Sequence, residues 1–146
     1  DEAYPAMLAA IDRARRSVTL TTYIFDSDET GRQFLDALAA AQARGAAVRV
    51  LVDDVGSRYS RPTMLALLRR AGVPAAGFMP TRVPRLFRYA NLRNHRKLMV
   101  VDGSAGFCGG MNIRHGHRVA MDPPGPTRCL HFALRGPVVG EMQRAF

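Results

Sequence analysis

The sequence lacks the features that define several classes of protein. Its 146 residues contain no tryptophan and only two cysteines, Cys108 and Cys129, which give no disulfide framework. No apolar run reaches the ~18 residues that a membrane span requires, so we expect this segment to be soluble. A hydrophobic content of 47% excludes a disordered chain, and this length is enough for one buried core. We therefore predict a single domain over 1–146, and because the first residue is Asp1 rather than methionine, we expect a segment of a longer parent protein.

Acidic residues are absent between Val55 and Val101, where ten basic residues give a local charge of +10. The whole chain carries +9, so the remainder sums to about zero. Such a concentration predicts an anionic partner, which could be nucleic acid, an anionic membrane surface or a phosphorylated substrate; a solvated basic face is the alternative. The ten residues are Arg58, Arg61, Arg69, Arg70, Arg82, Arg85, Arg88, Arg93, Arg96 and Lys97.

Lysine is almost missing, since 20 of the 21 basic residues are arginine and Lys97 is the only lysine. A solvated surface charge could be either residue. The single lysine therefore indicates a position that requires a compact ammonium group rather than a planar guanidinium fork.

Helical and strand patterns alternate along most of the chain. This alternation predicts an α/β fold, a layered α/β/α sandwich with a mixed, largely parallel sheet. The predicted helices are 4–16, 30–44, 62–71 and one that begins at 137; the predicted strands are 17–25, 47–52, 73–79, 97–101, 105–108 and 128–134.

Two segments interrupt the alternation. Residues 81–94 hold one proline, four arginines and two aromatics, and we predict a loop over the carboxyl ends of the strands, where open α/β sheets bind ligands. Residues 115–127 hold three prolines and are predicted to form an exposed loop.

A group of polar residues and glycines follows the first of these segments. His95 and Lys97 stand two apart at a strand entry, so their side chains should project to one face. A predicted hairpin through Asp102 would bring Asn112 back toward them, and Gly109 and Gly110 would permit close approach of a ligand.

The spacing His95-x-Lys97-x4-Asp102-x6-Gly109-Gly110-x-Asn112 resembles the HKD motif of the phospholipase D superfamily. The stretches TTYIFDSDETG, NHRKLMVVDG, GFCGGMNI and RGPVV resemble its cardiolipin synthase branch, and the similarity extends over essentially the whole chain. The resemblance implies the first of two HKD-bearing halves, with the second half elsewhere in the parent chain or in a homodimer partner.

The resemblance also implies phosphodiester exchange without a metal or other cofactor, through a phosphohistidine. His95 would be the nucleophile or the general acid, and Lys97 and Asn112 would hold the phosphate oxygens. Asp102, grouped with the catalytic residues, would hold local geometry or tune an imidazole. The residues predicted to line the substrate site are Gly109, Gly110, Arg93, Arg96, Asp53 and Ser57, although Asp53 and Asp54 could instead cap the turn after their strand or hold a metal.

One position departs from the family pattern. Cys129 stands where the family usually has an acidic residue that orients the catalytic histidine. Either Asp122 takes that role or this half is impaired. Cys108, Cys129, His115, His117 and His131 match no common zinc spacing, so no metal site is predicted.

The leading hypothesis is a phosphatidyltransferase that joins two phosphatidylglycerol molecules into cardiolipin and works on an anionic membrane surface. Its parent would be peripheral to, or anchored at, the cytoplasmic membrane. The alternatives are phospholipid hydrolysis, nucleic-acid cleavage, or a catalytically impaired module that binds anions or membranes.

Overall fold

A computed structural model describes residues 2–80 and 92–146 of the chain. Four helices and six strands account for most of the described residues, with short 3-10 turns at Gly56–Arg58, His115–His117 and Val119–Met121. The helices are α1 Ala3–Arg13, α2 Glu29–Ala43, α3 Met64–Arg70 and α4 Val138–Arg144; the strands are β1 Ser17–Thr22, β2 Ala47–Asp53, β3 Ala75–Phe78, β4 Leu98–Val101, β5 Ala105–Gly109 and β6 His131–Arg135.

The helix boundaries have identifiable chemical causes. The carboxylate of Asp28 accepts a hydrogen bond from the Gly31 backbone N–H at 2.9 Å and caps the start of α2. Gly45, with φ of +92°, adopts the left-handed conformation that ends the same helix. Thr63 caps α3 in the same way as Asp28 caps α2.

The strands form one mixed sheet in the order β3-β2-β1-β4-β5-β6. The pairs β1–β2 and β2–β3 are parallel, while β1–β4, β4–β5 and β5–β6 are antiparallel. Strands β1, β2, β3 and β5 consequently run in one direction, and β4 and β6 run in the other. The predicted mixed, largely parallel sheet is confirmed.

Helices cover both faces of the sheet. On one face α1, α2 and α3 pack against a large core that includes Phe34, Leu38 and Val52, each fully buried. On the other face α4 places Val139 and Met142 against Leu98 and Val100. The predicted α/β/α layering is therefore confirmed.

The two predicted loops fare differently in the structure. The predicted exposed loop over 115–127 is wrong in part, because it contains two 3-10 turns and buries His117 to 5% exposure. Of the predicted loop over 81–94, only residues 92–94 lie within the described part of the chain.

Asp102 lies at the turn between β4 and β5, at the edge of the sheet opposite to Lys97. Its carboxylate accepts hydrogen bonds from the backbone N–H groups of Arg15, Arg16 and Ser17 at 2.9, 2.7 and 2.8 Å. Burial opposes ionisation, but these donors outweigh it and hold the pKa of Asp102 below its usual value. Asp102 therefore ties the hairpin to the start of β1, and its grouping with the catalytic residues is corrected: it holds local geometry.

We expect Asp102→Ala to lower the free energy of unfolding by about 2–3 kcal/mol, because three backbone N–H groups lose a charged acceptor. The matched variant Asp102→Asn keeps the oxygen that serves Arg16 and Ser17 and should lose only about 1 kcal/mol. Urea unfolding at neutral pH measures both changes.

The same measurement over a pH range tests the cause. A depressed carboxyl pKa adds stability that is present above the unfolded-state pKa of about 4 and disappears as the pH falls through the folded-state value. The difference between wild type and Asp102→Ala should therefore be constant above about pH 5 and narrow below about pH 4. A difference that stays constant to pH 2 would show that the charge of Asp102 is irrelevant.

Candidate functional site

The candidate site lies at the edge of the sheet where β1, β2, β3 and β5 end and where β4 and β6 begin. In the register, Thr21 of β1 pairs with Leu98 of β4, and Leu98 pairs with Cys108 of β5. Residues that follow β1 and β5 therefore meet residues that precede β4. This topology brings the segments around 23, 95–97 and 110–112 together.

His95 and Lys97 share an aromatic neighbour, Tyr23. The His95 and Tyr23 ring centroids are 5.1 Å apart and tilted by 58°, and the Lys97 Nζ lies 5.5 Å from the Tyr23 centroid. The His95 side chain is exposed, so its ring nitrogens can meet a ligand from solvent. The one ring thus fixes the positions of the exposed imidazole and the ammonium group relative to each other.

Lys97 is buried to 6% exposure at this edge. Its ammonium donates a hydrogen bond of 2.7 Å to the backbone carbonyl of His95. Burial lowers the pKa of Lys97 to about 8, and the interaction with Cys129 opposes this only in part. A partly desolvated ammonium of this kind gains strongly from an anionic ligand.

Asn112 reaches the same edge from the segment that follows β5. Its Oδ1 accepts a hydrogen bond of 3.0 Å from the backbone N–H of Ile24, next to Tyr23. The Tyr4 hydroxyl donates to the Asn112 backbone carbonyl. With Oδ1 occupied in this way, the Asn112 side chain has its amide N–H₂ group left as a donor.

Asp53, predicted to line the substrate site, is instead completely buried at the end of β2. Its Oδ1 accepts from the Val55 backbone N–H at 3.0 Å, and its Oδ2 accepts from the Asn94 backbone N–H at 2.9 Å. These bonds cap the turn after β2, which the sequence left open as an alternative, and anchor the residue that precedes His95. Asp53 is buried and positions the segment before His95, and it does not line the substrate site.

Arg93, also predicted to bind substrate, is held by the protein itself. Its Nε lies 3.3 Å from the Asp53 carboxylate, and its Nη2 donates to the Met79 carbonyl at 2.9 Å. Its side chain is only 12% exposed. These contacts fix the approach to His95, and Arg93 also lines a cavity with His95 and Arg96, so its contact with substrate stays a prediction.

Three further predicted substrate residues also serve the chain itself. Ser57 is buried and its hydroxyl donates to the Asp54 carbonyl at 2.8 Å. A Cβ at Gly109 would lie 2.3 Å from the Leu130 carbonyl oxygen, and one at Gly110 would lie 3.3 Å from Cys129 Cβ. The glycines thus admit the segment before β6, and Gly109 also lines a cavity with His95 and Lys97, so the approach of a ligand to these glycines stays a prediction.

Arg96 is exposed beside His95, and its guanidinium donates to the Ala145 carbonyl at 2.8 Å. That bond joins the His95 segment to the end of α4. Of the two predicted substrate arginines, Arg96 is exposed and Arg93 is mostly buried.

The sequence leaves open whether Asp122 orients His95 in place of the acid expected at Cys129, or whether this half is impaired. Asp122 is exposed after the turn Val119–Met121, and within the described ranges it makes no hydrogen bond with His95. Cys129 is exposed and close enough to Lys97 to influence its pKa. In the described part of the chain, the recorded side-chain contact of His95 is with Tyr23.

The sequence reasoning missed Tyr23 and left His117 and His131 without a role. Tyr23 follows the carboxyl end of β1, so the rule that open α/β sheets bind ligands at the carboxyl ends of their strands, used for residues 81–94, could have found it. Burial lowers the pKa of His131 to about 4, and neither of its buried ring nitrogens has a partner among the described residues. No spacing rule indicates this, because the burial comes from the close approach of Gly109.

The described residues 2–80 and 92–146 contain neither a metal-ligand cluster nor a membrane-spanning helix. That part of the chain holds no group of three or more histidine, cysteine, aspartate or glutamate side chains suited to a metal ion. Its helices are all too short or too polar to cross a bilayer.

Comparison with known proteins identifies the family to which this sequence is similar. Residues 7–118 match the family described as "Cardiolipin synthase, PLD-like domain". The chain is 39% identical to cardiolipin synthase A of Pseudomonas fluorescens, over 100% of this chain and 30% of that protein. It is 35% identical to major cardiolipin synthase ClsA of Bacillus subtilis, over 98% of this chain and 30% of that protein. The chain therefore spans about a third of the length of these relatives.

A solved structure supports the fold. Nuc from Salmonella typhimurium, described as a phospholipase D family member, superposes with a TM-score of 0.70 at 19% identity, over 98% of this chain and 83% of that one. At this identity the match shows only that the two chains share the layered fold.

Proposed function

The chain belongs to the cardiolipin synthase family of PLD-like domains, and from this membership we propose that its parent protein is a phosphatidyltransferase. In this proposal the enzyme joins two phosphatidylglycerol molecules into cardiolipin and releases glycerol. The observation that carries the proposal is the grouping of an exposed His95 and a buried Lys97 on one Tyr23 ring, with Asn112 at the same edge.

The proposed reaction has two displacements at phosphorus. In the first, a neutral imidazole attacks the phosphorus of one phosphatidylglycerol, and the bond to the glycerol headgroup oxygen breaks. A protonated histidine of the other half gives its proton to the departing glycerol. A hydroxyl of the second phosphatidylglycerol then attacks the phosphohistidine, returns a proton to that histidine and forms cardiolipin.

The oxygens of the phosphate gain charge as each bond forms. The Lys97 ammonium and the Asn112 amide N–H₂ group are the donors of this half that can stabilise that charge. Lys97 is well suited, since its partial burial makes its interaction with an anion stronger than it would be in water. His95 serves either as the nucleophile or as the acid, because either half can supply the nucleophile and the histidine of the other half then transfers the proton.

One half-site needs a partner half. Within the described residues one histidine–lysine pair faces this edge, while the reaction uses two imidazoles. We propose that the second pair comes from elsewhere in the parent chain or from a second copy. The basic residues between 55 and 101 support an anionic membrane surface as the place of work, with the enzyme peripheral or anchored there.

The test is the identity of the product. Full-length parent protein is supplied with phosphatidylglycerol vesicles, and the lipids are analysed by mass spectrometry. We expect cardiolipin and an equal amount of glycerol. Phosphatidic acid as the main product would replace the transferase by a hydrolase.

Two other outcomes would also reject the proposal. If vesicles yield no product but single-stranded or duplex nucleic acid is cut, the protein is a nuclease. If neither substrate turns over and vesicles still bind, Cys129 marks an impaired half, and the protein is a binding module.

A further inference from the structure

A cavity of about 470 Å³ lies beside the candidate site, outside the residues used in the proposed reaction. This volume is in the range of small-ligand pockets. Met111 and Val119 form an apolar wall, and His117, Thr127, Arg128 and Cys129 form a polar one.

The polar wall is built by the chain itself. The Thr127 backbone N–H donates to the Gly116 carbonyl at 2.9 Å, and the ring Nδ1 of His117 lies 3.0 Å from the Thr127 carbonyl oxygen. His117 is only 5% exposed. These two bonds tie the turn His115–His117 to the segment before β6, so the wall is preformed.

The hydrogen bond of His117 fixes its tautomer. A carbonyl oxygen can only accept, so Nδ1 must carry the proton. Burial lowers the pKa of His117, and the charges of Arg114 and Lys97 act in the same direction, so the ring is neutral at pH 7. Nε2 then has a free lone pair and can accept a hydrogen bond from a ligand in the cavity.

The cavity adjoins the proposed phosphate position. Cys129 lines the cavity and also interacts electrostatically with Lys97. Cys129 also packs against Gly110, since a Cβ added there would lie 3.3 Å from Cys129 Cβ, and Met111 of the lining directly precedes Asn112. A phosphodiester held by Lys97 can therefore extend its headgroup toward His117.

We propose that this cavity binds the polyhydroxy headgroup of the phospholipid, with one hydroxyl donating to His117 Nε2. This inference rests on the proposed function, since it assigns the headgroup side of the same site. It also gives a rule of specificity: glycerol offers O–H donors, whereas a quaternary ammonium headgroup such as choline offers none and leaves Nε2 unpaired. His117 is then a specificity residue, and Arg128 adds a positive charge that an anionic headgroup favours.

The test uses the 146-residue chain and three soluble probes: glycerol 1-phosphate, phosphocholine and inorganic phosphate. NMR titration should show glycerol 1-phosphate shifting the His117 ring resonances and binding about five- to tenfold more tightly than either other probe. Long-range ¹H–¹⁵N spectra should show His117 Nε2 unprotonated before and after binding.

His117→Phe keeps a ring in the wall and removes the acceptor, so it should abolish the preference while leaving phosphate binding unchanged. The matched control is His115→Phe, two residues away and outside the cavity lining, which should keep the preference. Equal binding of all three probes, or a proton on Nε2, would overturn the proposal. Because these readouts need no turnover, a parent protein that makes no cardiolipin would reject the proposed function and leave this binding result to stand or fall by itself.

Discussion

Replacing His95 by Ala in the parent protein should lower cardiolipin formation on the order of 10⁴-fold or more, because the reaction loses an imidazole that it uses in both displacements. The loss is expected whether His95 is the nucleophile or the acid. His95→Asn keeps a polar side chain of similar reach and should be equally inactive, since an amide neither attacks phosphorus nor transfers a proton at neutral pH.

Folding is the first control for this result. His95 is exposed and its ring contacts Tyr23. The free energy of unfolding of both variants should therefore lie within about 0.5 kcal/mol of the wild-type value. His115→Ala is the matched histidine control and should retain wild-type turnover. Activity within tenfold of wild type in His95→Ala would remove His95 from the mechanism.

A trapping experiment separates the two roles of His95. Acid-free quenching of a single turnover with radiolabelled phosphatidylglycerol, followed by peptide mapping, should find the phosphoryl group on one histidine. Label on the peptide that contains His95 identifies it as the nucleophile. Label on the histidine of the other half identifies His95 as the acid, and wild-type enzyme without any label would contradict a covalent intermediate.

The order of elements could be predicted because local patterns decide it. In β2 the alternating burial of Val48, Val50 and Val52 follows from the period of a strand with one covered face. The end of α2 follows from Gly45, which adopts a left-handed conformation without cost. Such signals lie within a few residues of the feature that they determine.

The roles of the carboxylates could not be predicted, because they depend on distant parts of the chain. An aspartate at a strand end can face a ligand or accept the chain's own N–H groups, and the sequence around Asp53 is the same in both cases. What decides is the Asn94 backbone, 41 residues away, and for Asp102 the backbone near Arg16, 86 residues away. The motif therefore indicates which segments form the candidate site, but it does not separate residues that face the ligand from residues that hold the backbone.

The sequence around Cys129 also does not predict which residue positions His95. The resemblance predicts an acidic residue at this position, and the sequence leaves open whether another acid replaces it. The structure places Tyr23 against both His95 and Lys97, a contact between residues 72 and 74 positions apart. A flat ring can orient an imidazole through packing. Tyr23 can therefore position His95 without an acidic residue.

Lys97→Met should lower kcat/KM on the order of 10²–10³-fold, because it keeps the long apolar stem but removes the charge that meets the phosphate oxygens. The pH profile tests the origin of this loss. Because the pKa of Lys97 is about 8, the ammonium is largely protonated at pH 7 and loses its proton above pH 8. Wild-type kcat/KM, which reports the free enzyme, should therefore fall above about pH 8.

Lys97→Arg is the sharper variant, because a guanidinium stays charged across the whole range. It should remove the alkaline fall and yet remain less active than wild type, since a planar fork must fit where the ammonium lies 2.7 Å from the His95 carbonyl and 5.5 Å from the Tyr23 centroid. In the wild type, bound phosphate favours the charged lysine, so the alkaline fall in kcat should lie at higher pH than that in kcat/KM. An alkaline fall that persists unchanged in Lys97→Arg would assign it to another group and show that the buried ammonium is not the anion-binding charge of this half-site.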